Sequence, residues 1–143
     1  MKVINELKVN FDSRSTNESF ARVAVSAFAA QLDPTVEEIN DIKTAVSEGV
    51  TNAIVHGYKN HLGKIYITVS LFDNNKIRIK IRDRGCGIEN IKQAMEPLFT
   101  TGGSERTGLG FTVMSSFMDK IRVNSNIGKG TTVTLEKMIA GKE

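Results

Sequence analysis

Apolar and polar residues alternate along this chain with two different periods. In VINELKVNF, residues 3 to 11, Leu7, Val9 and Phe11 fall on one face, a period of two that predicts a strand. STNESFARVAVSAFAAQL then changes to helical spacing. Phe20, Val23, Ala24, Ala27 and Phe28 form an apolar stripe expected to pack on the fold, and Ser15 to Glu18 has the S-x-x-E form of a capping box. A longer helix is predicted over DPTVEEINDIKTAVSEGVTNAIVHGY, with Asp33 as N-cap, Pro34 at the first helical position and Gly57 as the stop. Glu37 and Glu38 would complement the positive end of its dipole. KIYITVSLF and KIRIKIRD are period-two runs joined by DNN, which predicts a hairpin. RGCGIEN opens a short helix, IKQAME, and a loop rich in Gly, Thr and Ser runs from Pro97 to Gly108. LGFTVMSSFMD predicts a further helix, and KIRVNSN and TTVTLEKM two closing strands around IGKG. The order β-α-α-β-β-α-loop-α-β-β predicts an α+β sandwich, a mixed sheet with helices on one face.

Composition narrows this picture. A chain of 143 residues with 40% hydrophobic content predicts one globular domain, residues 1 to 143, able to bury its own core. Cys86 stands alone, so no intrachain disulfide forms, which fits a reducing compartment. There is no apolar run long enough to span a bilayer, and MKVINELKVNF has no signal-peptide core, so a cytoplasmic protein without membrane contact is expected. The net charge of +3 comes from basic residues scattered along the sequence, which reads as a solvated surface and argues against direct nucleic-acid binding. His56 and His61 with one cysteine match no metal-cluster spacing.

Within the second helix, SEGVTNAIVHGY places Glu48, Asn52 and His56 at i, i+4 and i+8, one polar stripe opposite Ala45, Val46, Gly49 and Ala53. Asn is a poor helix former, so the stripe either faces water or lines a site. Three glycine motifs follow. Asp83-x-Gly85-x-Gly87 sits where a strand ends; its glycines let backbone approach a ligand, and its carboxylate can accept from an exocyclic amine, although the motif also suits a plain turn. Gly108-x-Gly110 opens a helix, whose free N–H groups suit an anion. Gly128-x-Gly130-Thr131 precedes the last strand.

The four motifs, in this order, resemble the GHKL superfamily of gyrase-type ATPases, chaperone ATPases and sensor histidine kinases. SEGVTNAIVHGY and EPLFTTGGSERTGLGFTVMSSFMD are similar to the anti-sigma factor serine kinases of sporulating bacteria, and the resemblance covers nearly the whole chain. It implies a Bergerat-type ATP-binding sandwich and, for the residues above, definite roles. Asn52 would ligate Mg²⁺ and Glu48 would act as general base. Asp83 would read adenine, with Gly85 and Gly87 beside the base and Thr131 supporting the pocket. Gly108 and Gly110 would wrap the phosphates of ATP, and residues 97 to 108 would form a lid in which Thr101 and Arg106 contact the nucleotide. A guanidinium at Arg106 suits a γ-phosphate. The resemblance implies two protein partners, a sigma factor and an anti-sigma antagonist phosphorylated on serine, and a homodimer. Arg22, the one basic residue of the first helix, is the candidate partner contact. A general-stress anti-sigma kinase and a nucleotide-gated binding module are the alternatives, the second disfavoured by Glu48. A sensor histidine kinase is disfavoured because residues 1 to 32 supply no helical pair with a phosphoacceptor His. His56 and Cys86 read as structural, and the pI of about 9.1 is more basic than the resemblance suggests.

Overall fold

The computed structural model describes residues 1–89 and 106–141. Strand β1 (Val3–Asp12) leads into α1 (Thr16–Ala29) and a 3-10 turn, Ala30–Leu32. Helix α2 (Val36–Asn52) continues as one π-helical turn, Ala53–Gly57, before the hairpin of β2 (Lys64–Phe72) and β3 (Lys76–Asp83). Helix α3 (Arg106–Phe117), β4 (Lys120–Asn126) and β5 (Gly130–Met138) complete the order. The expected helix IKQAME and most of the expected lid lie outside the described residues.

The sheet runs β1-β2-β3-β5-β4. Every pairing is antiparallel, which corrects the expected mixed sheet. The reason is the position of β5: it lies between β3 and β4, the strands that run in the same direction, and keeps them apart.

Period two decides which face is covered. Ile65, Ile67, Val69 and Leu71 of β2 and Ile77, Ile79 and Ile81 of β3 are buried on the helix side. Against them α2 presents Ile42, Ala45, Val46, Gly49, Val50 and Ala53, and α3 presents Phe111 and Met114. The layering expected from the sequence is therefore present, and among the described residues no helix covers the opposite face of the sheet.

Three local expectations change. The buried stripe of α1 is Ala21, Val25 and Ala29, continuing to Leu32, so the helix is rotated from the expected one. Phe20 is 51% and Val23 59% exposed, and Ala27 is exposed too; the small residues Ala21 and Ala29 let α1 lie close to its neighbours, which the bulkier stripe would not. Ser15 makes no side-chain cap, because its backbone is already helical (φ −59°, ψ −29°) and Glu18 N donates to its carbonyl (3.2 Å), while the Glu18 carboxylate turns to Arg22 (3.3 Å). Asp33 is not the N-cap of α2: it takes a left-handed conformation (φ 53°) closing the 3-10 turn, and Thr35 caps α2 in a full capping box with Glu38.

Glu38 does more than complete that box. Its carboxylate accepts from Thr35 N (2.9 Å), Ala140 N (2.7 Å) and Gly141 N (3.2 Å), joining the start of α2 to the end of the chain. Burial by itself would raise its pKa; these backbone N–H groups, with the Thr35 hydroxyl, outweigh that and hold the carboxyl below its ordinary value. A lowered carboxylate pKa contributes stability that is present above the ordinary value of 4.5 and is lost as pH falls through the lower native value. Glu38→Gln, which removes one acceptor among converging donors, is expected to cost about 1–3 kcal/mol at neutral pH in denaturant titrations. That difference should narrow as the pH falls below 4.5 through the lower native value, where wild type loses its charge as well.

Candidate functional site

Helix α2 carries the polar stripe into the seam between α2 and α3. Ala45, Val46, Gly49 and Ala53 are buried on the other side, as expected. Gly49 has a packing reason for its cost of about 1 kcal/mol in a helix interior. A methyl there would stand 2.5 Å from Ile81 Cδ1 and 3.7 Å from Met114 Sδ, so glycine lets α2 lie directly on β3 and α3.

Asn52 is 9% exposed, and neither Nδ2 nor Oδ1 has a hydrogen-bond partner among the described residues. A buried amide left in that state costs about 1–3 kcal/mol, and such groups mark functional positions. Gly110 faces it from α3. A methyl on Gly110 would meet Asn52 Oδ1 at 3.0 Å, Asn52 Nδ2 at 3.2 Å and Glu48 Oε2 at 3.3 Å. Glu48, Asn52 and Gly110, far apart in sequence, are thus brought to one spot. An amide oxygen and a carboxylate are the oxygen donors a hard cation prefers. No group of three or more His, Cys, Asp or Glu suited to a metal occurs among the described residues, so a cation held here needs further oxygens, as Mg²⁺ takes them from water and phosphate.

The second half of the site is the turn after β3. Asp83 is 5% exposed. Its Oδ1 accepts from Gly85 N (2.9 Å). Burial pushes its pKa up, and the N–H groups of Gly85 and Thr131 pull the other way without cancelling it. The turn is clamped on both sides. Toward α2, Cys86 N donates to Gly57 O (2.8 Å) and Cys86 Sγ to His56 O (3.3 Å). Toward β4 and β5, Gly128 N donates to Cys86 O (2.8 Å) and Ile88 N to Ser125 Oγ (2.7 Å). Ser125 Oγ in turn is hydrogen-bonded to Thr131 Oγ1 (2.8 Å), whose residue is paired with Asp83 in the sheet.

Glycine is required at two of these contacts. A methyl at Gly85 would run into the carbonyl of Gly57, and one at Gly130 into the carbonyl of Asp83, where φ is also +116°. Gly87, with φ +80°, passes beside Asn126. Asp83, Gly85, Gly87 and Thr131 therefore form one cluster, at the end of the π-helical turn that continues from Asn52. Turns of that kind occur often at functional sites.

Sequence reasoning missed Gly57, Tyr58 and Ser125. A methyl on Gly57 would stand 2.8 Å from the Asp83 carboxyl. Tyr58 Oη accepts from Arg84 N (2.7 Å) and donates to Lys64 O, pinning the turn to the start of β2. A glycine and a tyrosine directly after a polar-striped helix were the available clue for the first two; Ser125 offered none, since serine is common in strands.

Of the remaining expected residues, Gly108 lies within the first turn of α3. Thr101 and the side chain of Arg106 lie outside what is described. Arg22 does not extend freely: Nη1 reaches Glu18 Oε1 and Ser47 Oγ, both at 3.3 Å, so it bridges α1 to α2 one residue before Glu48.

This layout, a carboxylate and an amide on a helix facing a glycine of a second helix, with a buried aspartate at a glycine turn, is that of a histidine kinase-like ATPase domain. A family model of that description matches residues 11–137, and the chain belongs to that family. Within it the chain stands among the anti-sigma F factors. It is 58% identical over 141 residues to the Anti-sigma F factor of Thermoanaerobacter sp. (strain X514), covering 97% of each chain. The Anti-sigma F factor of Geobacillus thermodenitrificans (strain NG80-2) is 53% identical over 137 residues, covering 95% of this chain and 94% of the relative. The fold is similar to the RsbU and RsbW domains of a Mycobacterium tuberculosis protein, with TM-score 0.68 and 22% identity over 94% of this chain and 32% of that one. It is also similar to the mycobacterial sensor histidine kinase MprB, with TM-score 0.59 and 14% identity over 95% of this chain and all of that one.

The Gly110 contact makes a separable prediction. Gly110→Ala gains up to about 1 kcal/mol of helix propensity, yet crowds Asn52 and Glu48. Thermal stability should be unchanged or higher while ADP affinity, measured by calorimetry, falls by about tenfold or more.

Proposed function

We propose that the chain is a Mg-ATP-dependent protein-serine kinase that binds and inhibits an RNA polymerase sigma factor of the sporulation programme and phosphorylates that factor's anti-sigma antagonist. The observation that carries the reading is the buried Asn52 amide, without a hydrogen-bond partner among the described residues, one helical turn from Glu48 and faced by Gly110. The anti-sigma F factors among its relatives support the choice of partner.

In this reading each group has one task. Asp83 accepts a hydrogen bond from the adenine amino group, and its buried setting disfavours guanine, which would leave it facing another acceptor. Gly85 and Gly87 let the base lie against backbone, and Thr131 holds the strand beside Asp83. Asn52 ligates Mg²⁺ through Oδ1. Glu48 takes the proton of the attacking serine. The backbone at Gly108 and Gly110, together with Thr101 and Arg106, binds phosphate. Bound Mg²⁺ neutralises phosphate charge, so transfer requires little more than positioning and one base. The partner surface is α1, where Arg22 is held by Glu18 and Ser47 beside the exposed Phe20 and Val23. The chain works as one domain, as a homodimer, in the cytoplasm; in the described residues no helix is long and apolar enough to cross a membrane.

Transfer of label from γ-labelled ATP to a serine-bearing antagonist tests the proposal. Glu48→Gln should keep nucleotide binding and lose single-turnover transfer by about 10²-fold or more. Asn52→Ala should lose Mg²⁺-dependent binding too. Unchanged transfer in Glu48→Gln would remove the base assignment, and absence of transfer in wild type despite tight ATP binding would leave a nucleotide-gated binding module.

A further inference from the structure

On the helix side of the sheet, Val9, Ile67, Ile81, Val133 and Val123 stand opposite one another in a wholly apolar rung across all five strands. Two residues further along, the rung reads Phe11, Ile65, Asp83, Thr131 and Ser125. It turns polar on three adjacent strands, at the end where the Asp83 turn is clamped. Asp83 is 5% and Thr131 7% exposed. Both side chains are largely cut off from water, so their hydrogen bonds must be settled within the protein or with an occupant.

Ser125 Oγ has three polar neighbours. Ile88 N, at 2.7 Å, can only donate, and Gly130 O, at 3.2 Å, can only accept. Thr131 Oγ1, at 2.8 Å, can do either. A serine hydroxyl has one proton and two lone pairs. All three contacts are satisfied at once in a single arrangement. Ser125 gives its proton to Gly130 O and accepts from both Ile88 N and Thr131 Oγ1, which saturates it. The Thr131 proton is then spent on Ser125, and the Thr131 oxygen keeps its lone pairs. What Thr131 gives the Asp83 carboxylate is its backbone N–H.

We propose that Ser125 is a specificity-determining positioning residue: by holding the Thr131 proton it keeps Thr131 and Asp83 both as acceptors, so that this end of the rung takes an amino group and refuses a carbonyl. The inference rests on the reading of Asp83 as the contact to adenine. Were the Thr131 proton free, the carboxylate beside it would be its strongest acceptor, and a bond between them would use a lone pair that the amino group needs. A free hydroxyl also turns its proton to a carbonyl where one is offered. Either way adenine loses its advantage over a base with oxygen at the same position. Two fixed acceptors facing that oxygen leave buried polar groups unpaired, which is how a site rejects a close analogue. Cross-strand neighbours stand about 4.5–5.5 Å apart at Cβ, close enough for one amino group to serve both.

The test uses the full chain, with calorimetry of ADP and of inosine diphosphate, which carries oxygen in place of the amino group. Wild type should bind ADP about tenfold or more tightly than inosine diphosphate. Ser125→Ala should lose most of that preference, ADP affinity falling about tenfold while inosine diphosphate holds or gains. General damage to the pocket would weaken both alike. Ser125→Thr, which restores a hydroxyl and suits a strand, should restore the preference. In a Thr131→Val background, Ser125→Ala should shift the ratio no further. If circular dichroism shows the alanine variant unfolded, Ser125→Cys takes its place, since a thiol fills the position but hydrogen-bonds weakly, and the same outcome is expected. Three results would overturn the proposal: equal proportional loss of both nucleotides in Ser125→Ala or Ser125→Cys, no recovery in Ser125→Thr, or a ratio that still shifts without the Thr131 hydroxyl. Equal binding of both nucleotides by wild type would overturn it together with the adenine reading of Asp83, whereas a wild-type preference that Ser125 does not control overturns this inference alone.

Discussion

Everything at the candidate site depends on burying the Asp83 carboxylate at the end of a central strand. A carboxyl there is 5% exposed and has its pKa raised by that burial. Such a group survives only where backbone donors reach it, here the N–H groups of Gly85 and Thr131, and that requires the surrounding chain to approach closely. Gly57 on one side, Gly85 in the turn and Gly130 on the other supply that clearance. The glycine motifs are therefore more than flexible punctuation. They are the positions at which three separate segments close on one aspartate, and a methyl at Gly85 or Gly130 would collide with main chain, which cannot step aside as a side-chain tip can.

The same economy appears in the seam between α2 and α3. Gly49 brings α2 onto β3, and Gly110 brings α3 onto Glu48 and Asn52. The Asn52 amide, without a partner among the described residues, and the buried Asp83 carboxylate are both unfavourable in isolation. They are held by a core that is otherwise aliphatic and closely layered, with Ile65, Ile67, Ile77 and Ile79 at 1% exposure or less. The widening of α2 into a π-turn at Ala53–Gly57 links the two unfavourable groups: Asn52 ends the regular helix, and Gly57 ends the turn against Asp83.

How much of this was legible follows from which forces are local. The strands and helices were readable because periods of two and 3.6 belong to adjacent residues, and the glycine motifs because their spacing is short. The face of α1 was misread because a helix rich in alanine has no strong apolar direction; Ala21 and Ala29 are buried and Phe20 is not, a choice made by β1 and α2 packing against it. The cap of α2 moved from Asp33 to Thr35 because the preceding 3-10 turn takes Asp33 into a left-handed conformation. The sheet was expected to be mixed because sequence order does not tell that β5 inserts between β3 and β4. The roles of Glu48, Asn52 and Asp83 came from resemblance; the geometry adds that Gly110, Gly57 and Tyr58 hold them.

Register is also what turned scattered basic residues into a pattern. Lys8, Lys80 and Arg122 are widely separated in the sequence, and nothing in composition joins them; only the pairing of five strands sets them in one rung. In β3 the two surfaces of the molecule meet at adjacent residues. Arg82 projects from the face opposite the helices, and Asp83, the next residue, is buried on the helix face beside Gly57 and Thr131. The turn beyond is fastened to α2 through Cys86 and Gly57 and to β4 through Ile88 and Ser125. The strand end that carries the buried carboxylate is thus held from both sides by main-chain hydrogen bonds.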